Sequence, residues 1–450
     1  MTFCPPKTRA DLEWDRLLGA LAARCRSAPG KDAALALPFP ESFDASRRAL
    51  AEAREAADLL RLGEPLPVGD VPEVSEALGR LRVGGVLSGP ELRAVASMLA
   101  TARSARRFLA GRRARCAALY TAYATDPSLD AVAEEIDASF DPGGTLADHA
   151  SPRLRELRGE YHTARARLIA RLEELMKRYE GIVQDRFVTE REGRYVIPIR
   201  SDAHERFPGL VHATSASGAT LFVEPRAVIP MGNRLKVLEA EVAREEIAVY
   251  TRLSALVGDV LSSAEAAATA LAWLDVRAAT ARLGEDIGLD FPVVEREPVL
   301  DLRQARHPLL ALDLPAVVAS DLRLGGGQAM VISGPNAGGK TVALKTLGLV
   351  ALMLRAGLPV PCAPESRVGL FEVVLTDVGD DQSLQKNLST FSAHIQNLTH
   401  VLDETRPGAL VLLDELAGGT DPREGEALAA GILDSLCARG GAVAITTHYE

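Results

Sequence analysis

The stretch Ala329-Met330-Val331-Ile332-Ser333-Gly334-Pro335-Asn336-Ala337-Gly338-Gly339-Lys340-Thr341 decides the fold. Its first five residues form an apolar run that suits a strand in a parallel sheet covered on both faces. Its last eight fit the spacing GxxxxGK[ST]. An almost wholly apolar helix follows from Thr341 to Arg355, ended by Gly357 with Pro359 beyond. Strand, glycine-rich loop and buried helix are the context this motif requires. The loop Gly334, Pro335, Asn336, Ala337, Gly338 and Gly339, whose glycines free the backbone, then turns its N–H groups (Pro335 has none) toward a triphosphate at a positive helix end. Lys340 reaches the β- and γ-phosphates, and the Thr341 hydroxyl completes Mg²⁺ coordination, so ATP and Mg²⁺ are the expected cofactors.

Two more apolar runs, Ala409 to Leu413 and Ala442 to Thr446, read as strands of the same sheet. The first delivers Asp414 and Glu415 at its carboxyl end, Asp414 suited to hydrated Mg²⁺ and Glu415 to orienting an attacking water. The second delivers His448, where a sensor of the γ-phosphate would sit. Ser389 or Thr390 is expected to cap a helix through Phe391, Ile395, Leu398 and Leu402, whose positive end would face a phosphate, that of a second subunit included. Gly418-Gly419-Thr420-Asp421-Pro422 reads as a tight turn before a helix from Arg423 to Leu436.

Upstream the period changes. Leu154, Tyr161, Leu168 and Leu175 recur every seven residues, with Leu157 and Ala164 between them, on a helix of roughly 40 Å. A second stripe runs Leu235, Leu238, Val242, Val249, Leu253, Leu256, so the two helices are expected to pair antiparallel. Between them, 194–199 and 219–223 read as strands joined through the turn Ser215 to Gly218. The first 125 residues read as short Ala/Leu/Arg-rich helices. The expected architecture is multidomain: an all-α core over 1–150, a lever helix over 151–181, a small β-containing clamp-like insert over 182–230, a returning lever helix and core over 231–288, and an α/β P-loop domain over 289–450.

Composition narrows the partners. The chain has 450 residues, 47% hydrophobic and 25% charged, an ordinary globular balance. No stretch nears the roughly 18 uninterrupted apolar residues of a membrane span, and the start lacks the apolar core of a signal peptide, so a cytoplasmic protein with no membrane partner is expected. Five cysteines without a CxxC pair argue against zinc and disulfides and read as buried free thiols. The net charge of −10 excludes a generally basic coat. Local surpluses remain: six arginines and no acid over 103–115, and 12 basic against 8 acidic groups over 151–200. Aromatics at 4% disfavour a base-stacking platform for single strands.

SGPNAGGKT (333–341), LSTFSAH (388–394), LVLLDELAGGTDPREG (410–425) and TTHYE (446–450) together resemble the MutS-type ATPases of the ABC superfamily. GRYVIPIR (193–200), SASGATLFVEP (215–225) and LEWDRLLGAL (12–21) resemble the bacterial second-paralogue branch, MutS type two. The resemblance implies an ABC-type, ATP-driven clamp, a homodimer in its full-length form. It implies action on branched or duplex DNA, with suppression of homologous recombination and endonuclease activity, or on collided ribosomes and their rRNA. It implies Lys340 and Thr341 on phosphate and Mg²⁺, Asp414 and Glu415 on metal and water, His448 as γ-phosphate sensor, and Ser389 reaching the opposite subunit's nucleotide. Arg306-His307-Pro308 matches a stretch near the adenine. The family continues past the point matching Glu450 into the rest of the ATPase, dimer-forming helices and a nuclease domain, so an amino-terminal fragment is expected. Leu300-Asp301-Leu302-Arg303 spells a short string associated with that nuclease domain, here at the ATPase boundary. A transporter ATPase would carry an LSGGQ-like signature instead of LSTFSAH, and a coiled-coil chromosome ATPase would place its P-loop near the amino terminus. The remaining alternative is an ABC-type subunit acting as a nucleotide-gated binding module with little turnover.

Overall fold

A computed structural model describes residues 2–335, 338–378, 387–416 and 422–447, with the backbone alone at 387–393, 395, 422 and 424. The fold is mixed α/β with three four-stranded sheets. Two compact units form, neither continuous in sequence: Met1–Glu73 with Ser97–Pro127 and Glu265–Glu450, and Val74–Ala96 with Ser128–Ala264. The amino-terminal 73 residues thus share a unit with the carboxyl-terminal α/β part.

The second unit is built on the helices Pro152–Arg178 and Ile229–Asp259. Arg158 bonds Glu246 at 2.8 Å and Tyr161 bonds Glu239 at 3.3 Å, so the helices run antiparallel. Leu154, Leu157, Leu168 and Leu175 are buried as the heptads require, joined by Leu172 and Met176. On the partner helix the stripe ends on Leu253 and Val257, with Leu256 only half-buried. At 3.6 residues per turn a strict heptad drifts around a straight helix, which shifts the buried position by one. Between the helices lie strands β1 (Thr189–Arg191), β2 (Arg194–Arg200), β3 (Gly209–Thr214) and β4 (Thr220–Pro225). They form an antiparallel sheet in the order β1-β2-β4-β3. Ile197, Ile199, Phe207 and Val223 bury against Leu168, Leu172, Met176 and Leu235, so one core holds sheet and helices together.

The remaining strands belong to the first unit: β5 (Val293–Glu295), β6 (Val299–Ala305), β7 (Ser320–Gly325), β8 (Ala329–Ser333), β9 (Arg367–Gly369), β10 (Val373–Asp377), β11 (Ala409–Leu413) and β12 (Ala442–Thr447). A mixed sheet has the order β5-β9-β6-β7. The LDLR string lies in its β6, where Leu300 and Leu302 are buried and Asp301 pairs with Arg303 on the outer side at 3.5 Å. The other sheet, β10-β11-β12-β8, is parallel throughout, with Asp377 beside Leu413, Leu413 beside Ile445, and Thr447 beside Ser333. One face carries Val373, Leu375, Val411, Leu413, Val443 and Ile445 into a core with the helices Asn387–Glu404 and Pro422–Ala438. The helix Lys340–Arg355 covers the opposite face, and Gly348 marks its closest approach. A Cβ there would meet Leu12 and Leu412 at 2.7 Å.

Two expectations need correction. β10, β11 and β12 are buried along their whole lengths, but β8 is not covered on both faces: Val331 is 54% exposed. Its strand stands at the end of the sheet with β12 as its one neighbour in that sheet. Ser389 and Thr390 do not cap their helix, which already runs from Asn387; both lie in its first turn. The cysteines are free, four buried and Cys437 half-buried, and burial pushes the thiols of Cys4 and Cys25 up to about 12. Among the described residues no single helix is long and apolar enough to cross a membrane.

His307 caps the helix Pro308–Asp313, its Nδ1 accepting from the Leu310 N–H at 3.3 Å. It is 6% exposed, and burial, aided by the Lys345 ammonium, pushes its imidazole from 6.5 down to about 4. The neutral ring is needed in the folded chain, whereas the unfolded chain binds the proton near pH 6.5. This stability is therefore full above pH 6.5 and falls by up to about 3 kcal/mol as the pH drops to 4. Urea denaturation across that window should show the loss, and His307→Asn, which keeps a capping acceptor, should flatten it. An identical slope in the variant would remove His307 from the acid sensitivity.

Candidate functional site

Parallel pairing brings four strand ends to one edge: Ser333, Thr447, Leu413 and Asp377. Ligands of open α/β sheets bind outside such carboxyl ends, because the loops there diverge and helix N-termini point inward. Gly334 follows β8 with φ +144° and Gly339 precedes the helix Lys340–Arg355 with φ +79°. A Cβ would meet nothing within 4 Å at either position, so backbone conformation rather than crowding demands glycine. The Gly338 N–H donates to the Pro335 carbonyl at 2.9 Å, closing a turn across the loop. Asn336 and Ala337 lie outside the described residues, as do His448 and the turn 418–421.

Lys340 is 5% exposed, its Nζ donating to the carbonyls of Gly334 at 2.6 Å and Thr447 at 3.3 Å. Thr341, next along the helix, is half-buried. Asp414 and Glu415 follow β11, Asp414 half-buried and Glu415 exposed. Glu415 has φ +49°, a left-handed turn that a non-glycine residue adopts at a cost of order 1–3 kcal/mol. Its N–H donates to Thr446 Oγ1 at 2.9 Å, and that hydroxyl donates to Asp414 Oδ1. The Asp414 N–H donates to the Asp377 carbonyl at 2.9 Å.

The last two residues of β12 therefore tie the two motifs together. Thr446 holds the Asp414-Glu415 turn through its side chain, and Thr447 holds Lys340 through its carbonyl. The structure brings together Gly334, Gly339, Lys340, Asp414 and Glu415. Ser389 is placed by its backbone in the first turn of the helix Asn387–Glu404. Arg306 donates to the carbonyls of Ile287 and Gly288, at 3.1 and 2.6 Å, and so closes the end of the helix Leu261–Ile287. Thr446, Thr447 and Asp377 escaped the sequence reading. Thr446-Thr447 precedes the singled-out His448, but only the sheet order shows that β12 separates β8 from β11.

Chemically, the edge offers an ammonium and a glycine-rich backbone for phosphate, with a carboxylate and a hydroxyl for a hard cation. Among the described residues no group of three or more His, Cys, Asp or Glu could cage a metal.

Strand, glycine loop and carboxylate-bearing strand end define a class, an α/β unit that closes its site at the carboxyl edge of a parallel sheet. Residues 330–450 match the family described as MutS domain V. Along the whole chain the likeness is to proteins named endonuclease MutS2. It is 40% identical to that of Pelotomaculum thermopropionicum, over 97% of this chain and 56% of the relative. Anaeromyxobacter sp. (strain Fw109-5) has one 40% identical over 99% of this chain and 57% of its own length, and Lacticaseibacillus paracasei one 38% identical over 97% and 56%. The resemblance read from the motifs therefore holds: the chain is MutS-like, its likeness runs to the second branch along nearly all of its length, and it spans a little over half of these relatives.

The double role of Thr446 is testable. Thr446→Val removes a buried hydroxyl that donates to Asp414 and accepts from Glu415. It should lower stability by about 1–3 kcal/mol, because both partners lose a bond inside the fold. Chemical denaturation of both proteins measures this, and an unchanged midpoint would show that the hydroxyl does not hold the turn.

Proposed function

We propose that the chain binds and hydrolyses Mg-ATP at this edge, in an ABC-type P-loop domain over 289–450. We further propose that the nucleotide state governs its grip on a polyanion. The observation carrying the reading is that Lys340 and the Asp414-Glu415 turn are held by successive residues of one strand. Bound Mg-ATP supplies a phosphoanhydride whose cleavage releases free energy. Lys340 neutralises phosphate charge at Nζ, exchanging its two carbonyl partners for phosphate oxygens. The loop N–H groups of Gly334 and 336–339 orient the phosphates. Thr341 Oγ1 and the Asp414 carboxylate hold the hydrated cation. Glu415, exposed beyond the strand, orients a water and receives its proton. His448 reads the γ-phosphate, and Ser389 completes the site of a second subunit.

For the polyanion we propose duplex or branched DNA, or the ribosome through its rRNA, gripped by the arm 151–257. The relatives' naming as endonucleases supports a nucleic-acid partner. Arginines at the tip of the arm are engaged within the chain: Arg200 with Asp202 at 2.6 Å, Arg186 with Glu180, and Arg194 with Asn233 at 2.7 Å. Arg191 lies over the Phe222 ring at 4.7 Å. The Arg186 and Arg200 pairs are exposed and worth about 0–1 kcal/mol each, so phosphate can displace them at small cost, whereas Arg194 also meets the buried Glu224 at 3.6 Å. Hydrolysis is assigned to this chain for ATP alone.

Lys340→Ala should abolish nucleotide binding in a fluorescent-ATP titration, whereas Glu415→Ala should bind normally and lose phosphate release. Turnover in Glu415→Ala equal to the parent would defeat the assignment, and would instead favour a binding module if both are equally low.

The arm has its own test. Replacing Arg186, Arg191, Arg194 and Arg200 together by Gln should weaken duplex DNA binding and reduce the slope of log affinity against log salt, by roughly 0.9 for each phosphate left without a neutralising guanidinium. A slope that stays the same in the folded variant would take the arm tip out of the binding surface.

A further inference from the structure

Asp377 ends β10 at the same edge, 7% exposed, and has no role in the hydrolysis described so far. Its carboxylate accepts from two residues of the helix Asn387–Glu404: His394 Nδ1 at 2.8 Å and Asn397 Nδ2 at 2.9 Å. Asn397 also donates to the Thr376 carbonyl at 3.0 Å. His394 and Asn397 are three apart, hence on one face of that helix, and Ser389 lies five residues before His394. Through its backbone, the same Asp377 accepts the Asp414 N–H at 2.9 Å. One residue thus links the Asp414-Glu415 turn to the helix that carries Ser389.

The amino terminus grips that residue from the other side. The helix Pro6–Asp11 lies along β10, the edge strand. Thr8 Oγ1 donates to the Val374 carbonyl at 2.9 Å, and the Asp11 carboxylate accepts from Thr376 Oγ1 at 2.8 Å and the Val378 N–H at 3.1 Å. Lys7 Nζ reaches Asp377 at 3.5 Å and Asp11 at 2.9 Å. The Asp377 carboxylate therefore accepts from His394 and Asn397 and lies 3.5 Å from the Lys7 ammonium on a second helix. A buried carboxylate is retained only when its charge is met in this way, and removing it takes one acceptor from His394 and one of two from Asn397.

We infer that Asp377 is a positioning residue for ATP hydrolysis: it fixes the helix Asn387–Glu404 against the sheet edge and so sets Ser389 relative to the Asp414-Glu415 turn. The inference rests on the reading of this edge as an ATP-hydrolysing site. Asp377 itself touches neither phosphate nor metal. Losing it leaves Lys340, its loop and nucleotide binding as they were, while Ser389 loses its register.

The test uses Asp377→Ala and the isosteric Asp377→Asn, each alone and combined with Ser389→Ala. In the nucleotide-free chain, backbone amides of 387–398 should exchange with solvent faster in Asp377→Ala, while those of 340–355 stay at parent rates. In steady-state ATPase assays Asp377→Ala should lower kcat roughly tenfold with KM nearly unchanged, since misplacement costs turnover rather than binding. Asp377→Asn, which keeps one acceptor, should lie between the two. In the Ser389→Ala background the Asp377 substitution should add little, because both act through one element. Parent-like exchange over 387–398, or a parent-like kcat in either variant while Glu415→Ala abolishes turnover, would overturn the inference and leave the ATPase reading standing. Full additivity with Ser389→Ala would overturn the route through the helix. Turnover indifferent to Glu415 would instead bring down the ATPase reading, and this inference with it.

Discussion

The site depends on the parallel register that sets β12 between β8 and β11. In a parallel sheet every strand delivers its carboxyl end to the same side, so residues far apart in sequence arrive at one edge without any long loop. Thr446 and Thr447 are neighbours in the chain, yet one touches the Asp414-Glu415 turn and the other touches Lys340. Moving β12 by one residue would exchange their faces and separate the two motifs. Burial enforces the register, because Val443 and Ile445 belong to the core on one face.

The same constraint explains what the sequence could and could not tell. Local signals were legible. An apolar run before a glycine loop, a carboxylate pair after a strand, and heptads flanking a short alternating segment each rest on a period within a few residues. The strands β8, β11 and β12 and the two arm helices lie where those periods put them. Partnerships across distance were not legible. Neither Asp377 nor Lys7 carries a local signal. Only the fold places Lys7, His394 and Asn397 around the Asp377 carboxylate.

Where sequence reasoning went astray, tertiary context overrode a local rule. A fully apolar strand was expected to be covered on both faces, but coverage belongs to the neighbours and not to the strand, so β8 exposes Val331. Serine and threonine before an apolar run suggest a cap, yet the helix begins two residues earlier at Asn387. The surplus of basic groups over 151–200 left open whether its arginines pair within the chain, and Arg186, Arg194 and Arg200 each meet a carboxylate there. Charge counts record composition, and pairing is a property of the fold.

Lys340 and Asp414 are proposed to serve one ligand, a nucleotide with its cation. If so, cation and nucleotide binding are coupled through Asp414, and the coupling is a measurable free energy. Calorimetric titration of ATP, with and without Mg²⁺, into the parent chain and Asp414→Asn measures it. Mg²⁺ should tighten ATP binding at least about tenfold in the parent, which corresponds to about 1.4 kcal/mol, and have little effect in the variant. An equal Mg²⁺ effect in both proteins would contradict the account.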